Sequence, residues 1–379
     1  MTVIWKNISI LGLAFLGFSA CQSTSVGVSS PEVKAEPRMG FNAFQGSRYI
    51  KGVNESQWKT ISAIGDPQGC RARIKNLEKI QGSTVTALEF SRNPSIIKNK
   101  LKLNKTVLLS DGIFNLNKLI KLNGNNLVGS ENTILDATGL DYAIYAKSSV
   151  IKNLGIKNAG KVGVTIYNDV TAHNIIVENT GVGVTKNSRG HGFSILDKTS
   201  VNNCLVSVEA FNGFNDDGSG TNTRNGGNAD GFQIKYGANA VTLIDAHGHH
   251  NSDDGFDFWK SGYESKSKVD DVIIRVYYSS ANLNGKNPLT PNGDGNGFKM
   301  GSSDKYQAPK KDEGARLIYG SAACYNLSNG FDRNSTRMKI YHSKLSASGN
   351  GKENYRDLNQ YFSSGKDPYR LKCNMFPRR

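Results

Sequence analysis

The sequence predicts an all-β protein built as a parallel β-helix, a solenoid with an N-terminal cap. Three observations point there. From about Ile96 onward, short β-branched runs alternate with Gly/Asn turns. No long helical period interrupts them. Asparagines recur just after the runs, at Asn158, Asn179, Asn212, Asn251, Asn282, Asn326 and Asn350.

The runs are of strand length. Examples are Val150–Ile156, Val170–Val177, Val241–Ile244, Val272–Val276 and Met338–Tyr341. Variable spacing between the asparagines suits repeats that each carry a loop of their own length. Asn tolerates left-handed turn geometry, and its amide can bond the next coil. The competing architecture is an antiparallel sandwich, which needs regularly spaced hairpin turns that are not evident. Composition agrees with the solenoid. With 41 Gly against 9 Pro, the chain can turn often between short strands.

The net charge of +15 attracts polyanions in general. Nucleic acid, anionic lipid and acidic polysaccharide all satisfy charge alone. The sequence has no zinc knuckle, RNP-like aromatic strand or basic helix, so no nucleic-acid partner is expected.

At the N-terminus, Lys6 precedes an apolar run from Ile8 to Phe18, then Ser19-Ala20-Cys21. This reads as an export signal over residues 1–20 rather than a membrane span. The Ser-Ala-Cys ending resembles a bacterial lipobox, with Phe18 where Leu is usual. Cys21 is then the expected lipidation site, and residues 21–38 a tether. The expected location is the cell envelope, as an outer-membrane lipoprotein, or outside the cell. Residues 39–379 read as one β-helix domain acting as a monomer. Residues 39–92 form its N-terminal cap and 355–379 its C-terminal cap, since solenoid ends need covers. Export permits disulfides. The wide spacing of Cys70, Cys204, Cys324 and Cys373 fixes no pairing; Cys70–Cys373 is one candidate bridge, and Cys204 and Cys324, in apolar runs, read as buried free thiols.

Three segments carry the chemistry: Asn228-Ala229-Asp230-Gly231-Phe232, Asn251-Ser252-Asp253-Asp254-Gly255-Phe256-Asp257, and Gly293-Asp294-Gly295-Asn296-Gly297-Phe298-Lys299. Each sets an acidic residue beside Gly-Phe at a similar place in its repeat. Equal positions in adjacent coils stack at about the strand spacing, so Asp230 should fall beside Asp253, Asp254 and Asp257. Carboxylates that close repel unless a cation neutralises them. An all-oxygen, multiply charged set favours Ca²⁺ over zinc or copper.

These segments, with Asn329-Gly330-Phe331-Asp332, resemble polysaccharide lyase family 9, whose best-known members are pectate lyases. The resemblance implies a right-handed β-helix and a calcium-dependent β-elimination on an acidic, uronate-containing polysaccharide. By motif position it implies Asp230, Asp253, Asp254 and Asp257 as calcium ligands and Lys299 as the base. Lys235 and Arg333 are candidates to pair with substrate carboxylates, and Trp259 to stack on sugar rings. The chain departs from the family pattern in a loop at 311–314 and in Arg333-Asn334 after Asp332.

Other readings stay open. A C5 epimerase shares the proton abstraction, but no Tyr/His acid motif accompanies it. A non-catalytic calcium-binding adhesin needs the aspartates but not Lys299. Gly190-His191-Gly192, Arg73-Ile74-Lys75 and Asp253-Asp254 look like polygalacturonase motifs in the wrong order and are read as coincidence. His247 and His249 read as a surface or stacked pair.

Overall fold

The computed structural model describes residues 49–181, 190–195, 200–214, 228–235, 240–259, 272–285, 293–301, 315–334, 339–358 and 371–375. Residues 1–48, with Cys21 and the expected signal and tether, lie outside the described residues, as does the loop at 311–314. No helix among the described residues is long and apolar enough to cross a membrane.

The described strands pair in parallel and stack into a right-handed β-helix of two sheets, one of fifteen strands and one of nine. The larger sheet supplies two faces of each coil because it bends at a left-handed residue. That position is Asn153, Asn174, Ser207, Asp245, Tyr278, Gly320 and Lys344 in successive coils, with φ between 49° and 63°. A second left-handed position ends the sheet, at Asn158, Asn179, Asn212, His250, Leu283, Tyr325 and Gly349.

The recurring asparagines divide by role. Asn158, Asn179 and Asn212 take the left-handed turn. Asn251, Asn326 and Asn350 stand one residue later and form an amide ladder with Asn284. In that ladder Asn284 Oδ1 accepts from Asn251 N at 3.2 Å, and Asn326 Oδ1 accepts from Asn284 N at 3.1 Å. Each Nδ2 donates back to a strand carbonyl of the preceding coil, as Asn284 does to Gly248 O at 3.0 Å. Asn282 was the expected rung at that coil. It lies instead within the strand Ser280–Asn282, and Asn284 takes the rung. The ladder satisfies backbone groups buried inside the turn, which otherwise carry a desolvation cost.

Inside the nine-stranded sheet, one register position holds Phe193, Phe232, Phe256, Phe298, Phe331 and Tyr355. Their rings stack with centroids 4.5–5.7 Å apart and planes within 7°. The five phenylalanines are completely buried, each burial contributing roughly 1.5–3 kcal/mol. The next residue along each strand points outward.

Helices α1 (Glu55–Ile64), α2 (Cys70–Asn76), α3 (Ala87–Arg92) and α4 (Ile96–Leu103) precede the coils. Asn54 and Thr86 open α1 and α3 with capping boxes. The cysteine pairing differs from expectation: the bridges are Cys70–Cys204 and Cys324–Cys373. The thiols expected to be free are thus each bonded. Cys204 is on the outer side of its strand with Val206, against Trp58 and Ile61 of α1, rather than in the main core. The first bridge ties α2 to the sheet, and the second ties the C-terminal turn to it.

The histidine pair is buried, not superficial. His247 bonds Asp245 at 2.8 Å and Ser280 Oγ at 2.8 Å. His249 bonds Glu209 at 2.6 Å and stacks under Tyr49 at 4.0 Å. The Ser280–His247–Asp245 contacts look like a hydrolytic triad. His247 and Ser280 are wholly inaccessible, so the network fastens the segment before α1, whose Gly52 N also donates to Asp245.

Replacing Asn284 by Ala strands Asn251 N and Gly248 O in a buried turn. Denaturant unfolding is expected to show a loss of about 2–4 kcal/mol. A loss below about 1 kcal/mol would contradict the structural role given to the ladder.

Candidate active site

The turn after the asparagine ladder leads straight into the site. Gly231 N donates to Asp254 O, and Gly255 N donates to Asn296 O. His191, Asp230, Asp254, Asn296 and Asn329 therefore occupy one ladder position in five successive coils. Asp253 precedes that position, and Asp257, Lys299 and Asp332 share the outward row next to the phenylalanine stack. The glycines between are needed for space: a Cβ on Gly231 or Gly255 would sit 2.8 Å from a backbone oxygen of the next coil.

Asp230, Asp253 and Asp254 each bring a carboxylate oxygen within 4.8 Å of the others. All three are buried. Backbone donors aim them. Asp253 accepts from Asn228 N at 2.5 Å and Asp294 N at 2.7 Å, so it clamps the coils on either side. Asp254 Oδ1 accepts from Asn296 N at 2.7 Å and Nδ2 at 3.0 Å. Its Oδ2 is buried without a hydrogen bond, and Lys299 Nζ lies 3.2 Å away as an ion pair. Lys299 Nζ also bonds Asp294 Oδ2 at 2.7 Å.

Asp257, the fourth expected ligand, stands apart from those three. It pairs with Lys235 at 2.6 Å, and Lys235 Nζ lies 3.7 Å from Asp230 and 5.6 Å from the Trp259 ring centre. Lys235 is therefore in the site, but it faces carboxylates of the chain itself. Trp259 is half-buried beside it, its backbone N–H donating to Asp257 Oδ1. Arg333 lines a separate cavity of about 530 Å³ with Tyr341, His342 and Asp357. Sequence reasoning passed over His191, Asp294 and Asn296. Asp294 and Asn296 lie inside a quoted motif. His191 lies in Gly-His-Gly, set aside as coincidence, yet its Nδ1 accepts from Asp230 N at 3.2 Å.

Residues 99–367 match the family profile described as "Pel9A-like, right handed beta helix region". The chain belongs to this Pel9A-like family. Two curated relatives are similar to it. The protein named pectate lyase PEL9 from Emericella nidulans is 29% identical over 40% of this chain and 37% of its own length. Pectate lyase L from Paenibacillus polymyxa is 26% identical over 66% of this chain and 57% of its own. The chain thus spans between about a third and three-fifths of those relatives. The crystal structure of pectate lyase Pel9A superposes with a TM-score of 0.52 at 19% identity, over 69% of this chain and 70% of that one. That likeness concerns the fold.

Within this site the charges act strongly on one another. Burial, with the Asp230 charge adding, pushes Asp253 up to about 7. Burial also raises Asp254 well above the ordinary carboxylate range; Lys299 opposes, while Asp253 and Asp294 reinforce. For Asp230, burial is outweighed by Lys235, His191 and Lys299, and its carboxyl falls below the usual range. Burial would also free Lys299 of its proton, but Asp254, Asp257, Asp253 and Asp294 together hold it well above the ordinary lysine range. Crowded, buried, all-oxygen donors of this kind suit a hard divalent cation.

A pH dependence follows from these directions. A carboxyl with a raised folded pKa binds its proton more tightly when folded. Without a cation, stability should therefore fall as pH rises from about 4 to about 7 through the Asp253 window. The depressed Asp230 works the other way, but only below about 4. Thermal melts in chelator should show this decline, and Asp253→Asn should lessen it, leaving the part that the raised Asp254 contributes. An equally steep decline in Asp253→Asn assigns the effect elsewhere.

Proposed function

We propose that the chain is a calcium-dependent polysaccharide lyase that cleaves an acidic, uronate-containing polysaccharide by β-elimination, with Lys299 as the base. One observation carries the reading: Lys299 Nζ shares the Asp254 carboxylate with a three-aspartate cluster suited to a cation. A purely structural cation site does not need an amine there. The names of the two curated relatives point to pectate as the polymer. Export with a lipid anchor at Cys21 would bring the protein to such polymers.

Asp230, Asp253 and Asp254 would hold Ca²⁺, joined by Asp257 if Lys235 gives it up. When bound, Ca²⁺ supplies positive charge that offsets the negative charge developing on the substrate carboxylate. The remaining steps belong to the chain. The C5–H of a uronate is acidic because the adjoining carboxylate delocalises the electron pair left behind. The neutral Lys299 amine takes that proton. The C5–H electrons become the C4–C5 double bond, the C4–O bond breaks, and its electrons leave on the departing sugar, which is protonated by solvent. Lys299 needs to be neutral, yet the aspartates favour its charged form. Neutralising those carboxylates leaves burial dominant, which favours the neutral amine. Lys235, Trp259 and Arg333 are assigned to the substrate: Lys235 and Arg333 to its carboxylates, Trp259 to a sugar face.

Incubation with polygalacturonate and calcium should yield an unsaturated, ultraviolet-absorbing product, more rapidly at alkaline pH, and chelator should abolish it. Lys299→Ala should lower the rate by about 10²–10⁴-fold while calorimetric calcium binding persists. Asp254→Asn should weaken calcium binding itself. Full activity in Lys299→Ala would falsify the mechanism. A calcium-binding protein inert on every uronate polymer would instead be the adhesin.

A further inference from the structure

We propose that Tyr142, Tyr145 and Tyr167 form a second carbohydrate-binding surface, a platform that holds an acidic polysaccharide at a distance from the Asp–Lys site. The inference rests on the reading that the substrate is such a polymer. It concerns a different part of the same sheet.

The three rings sit at two adjacent coils of the nine-stranded sheet. Tyr142 and Tyr145 meet edge to face at 5.2 Å, and Tyr145 meets Tyr167 the same way at 6.1 Å. Each is half-buried, so part of each ring stays open to solvent. On the strand Tyr142–Lys147, Ile144 and Ala146 are completely buried, so Tyr145 and Lys147 project outward. Tyr167 follows the strand Val162–Ile166, and its N–H bonds Ala146 O, which puts it beside Lys147.

The surrounding charge suits a polyanion. Lys121 is the register partner of Tyr145 on the preceding coil, and both Lys121 and Lys147 are exposed. Of the nearby carboxylates, Asp141 is occupied by Lys161 at 2.7 Å, and Asp169 accepts from the Asn168 and Asn202 amides. Aromatic faces pack against the C–H faces of sugars, and flanking ammonium groups attract uronate carboxylates. Tyrosine favours strands for conformational reasons alone, but that preference does not account for lysines on two sides of the cluster.

The platform shares its row with the catalytic candidates. Tyr145 continues through Thr165, Ser194, Gln233 and Asp257 to Lys299. Five strand steps span about 24 Å, too far for one sugar ring to touch both. The tyrosines therefore act on long chains and not on short ones.

The test uses the full chain with Tyr145→Ala and Tyr167→Ala together. On long polygalacturonate the KM should rise about tenfold with kcat unchanged, while kinetics on trigalacturonate stay the same. The Tyr→Phe pair, which keeps the aromatic faces, should behave as the unaltered protein does. In a Lys299→Ala background, gel retardation by polygalacturonate should fall when the tyrosines are removed. Equal losses on polymer and trimer, or an unchanged polymer KM, overturn the platform. So does a protein unretarded by polygalacturonate, alginate and hyaluronate alike. Tyrosine-dependent retardation without product from any polymer keeps the platform and sinks the lyase reading. Product with tyrosine-independent retardation does the reverse.

Discussion

The parallel hydrogen-bonded register between coils is the constraint on which everything else in this protein depends. A polymer of short strands has no reason to bring residues 230, 254 and 296 together until each coil must sit on the last. Two ladders enforce that register. At the buried turns, amides from Asn251 to Asn350 bond each turn to its neighbours. Inside, the phenylalanine rings stack face to face. A slip of one residue would turn the phenylalanines outward and bury Asp257 and Lys299 in the core.

That register also explains how so much charge is held in one buried place. Carboxylates at 0–5% exposure would be severely destabilising if unpaired. Here the penalty is distributed. Backbone N–H groups satisfy Asp253 and one oxygen of Asp254, Lys235 neutralises Asp257 and Asp230, and Lys299 bridges Asp254 and Asp294. What is left over is one buried oxygen of Asp254 and two carboxyls driven to hold their protons. The cluster that remains could hold a metal ion, and the chain's own groups offset most of its charge. Helices α3 and α4 cover the first coils with Phe90, Ile97 and Leu101, where unpaired strands would otherwise be exposed, while Cys70–Cys204 holds α1 and α2 against the flank of the sheet and Cys324–Cys373 holds the C-terminal turn to it.

Legibility followed periodicity. The strand runs, the recurring asparagines and the repeated Asp-Gly-Phe units are local patterns, so fold class and site location could be read from them. The misreadings are all matters of which side chain meets which. Asn282 and Asn284 are two residues apart and chemically identical, and only turn geometry selects the second as the rung. Cys204 lies in an apolar run, but on the strand side that faces the helices rather than the main core, so it meets Cys70. His247 and His249 alternate as outward residues should, yet Tyr49 covers them. His191 stands in a Gly-His-Gly motif, but its place one coil before Asp230 appears only once the coils are stacked.

The sequence by itself determined the solenoid, because alternating β-branched runs with Gly/Asn turns can bury their apolar faces only by stacking. It also determined that acidic Gly-Phe units would meet, because equal positions in successive coils must. Only the tertiary structure decided how the charges pair: Asp257 with Lys235, Lys299 with Asp254 and Asp294, and three aspartates grouped rather than four. Pairing depends on ångström-scale differences between side chains on adjacent coils, and those distances are set by the turns, not by the repeat.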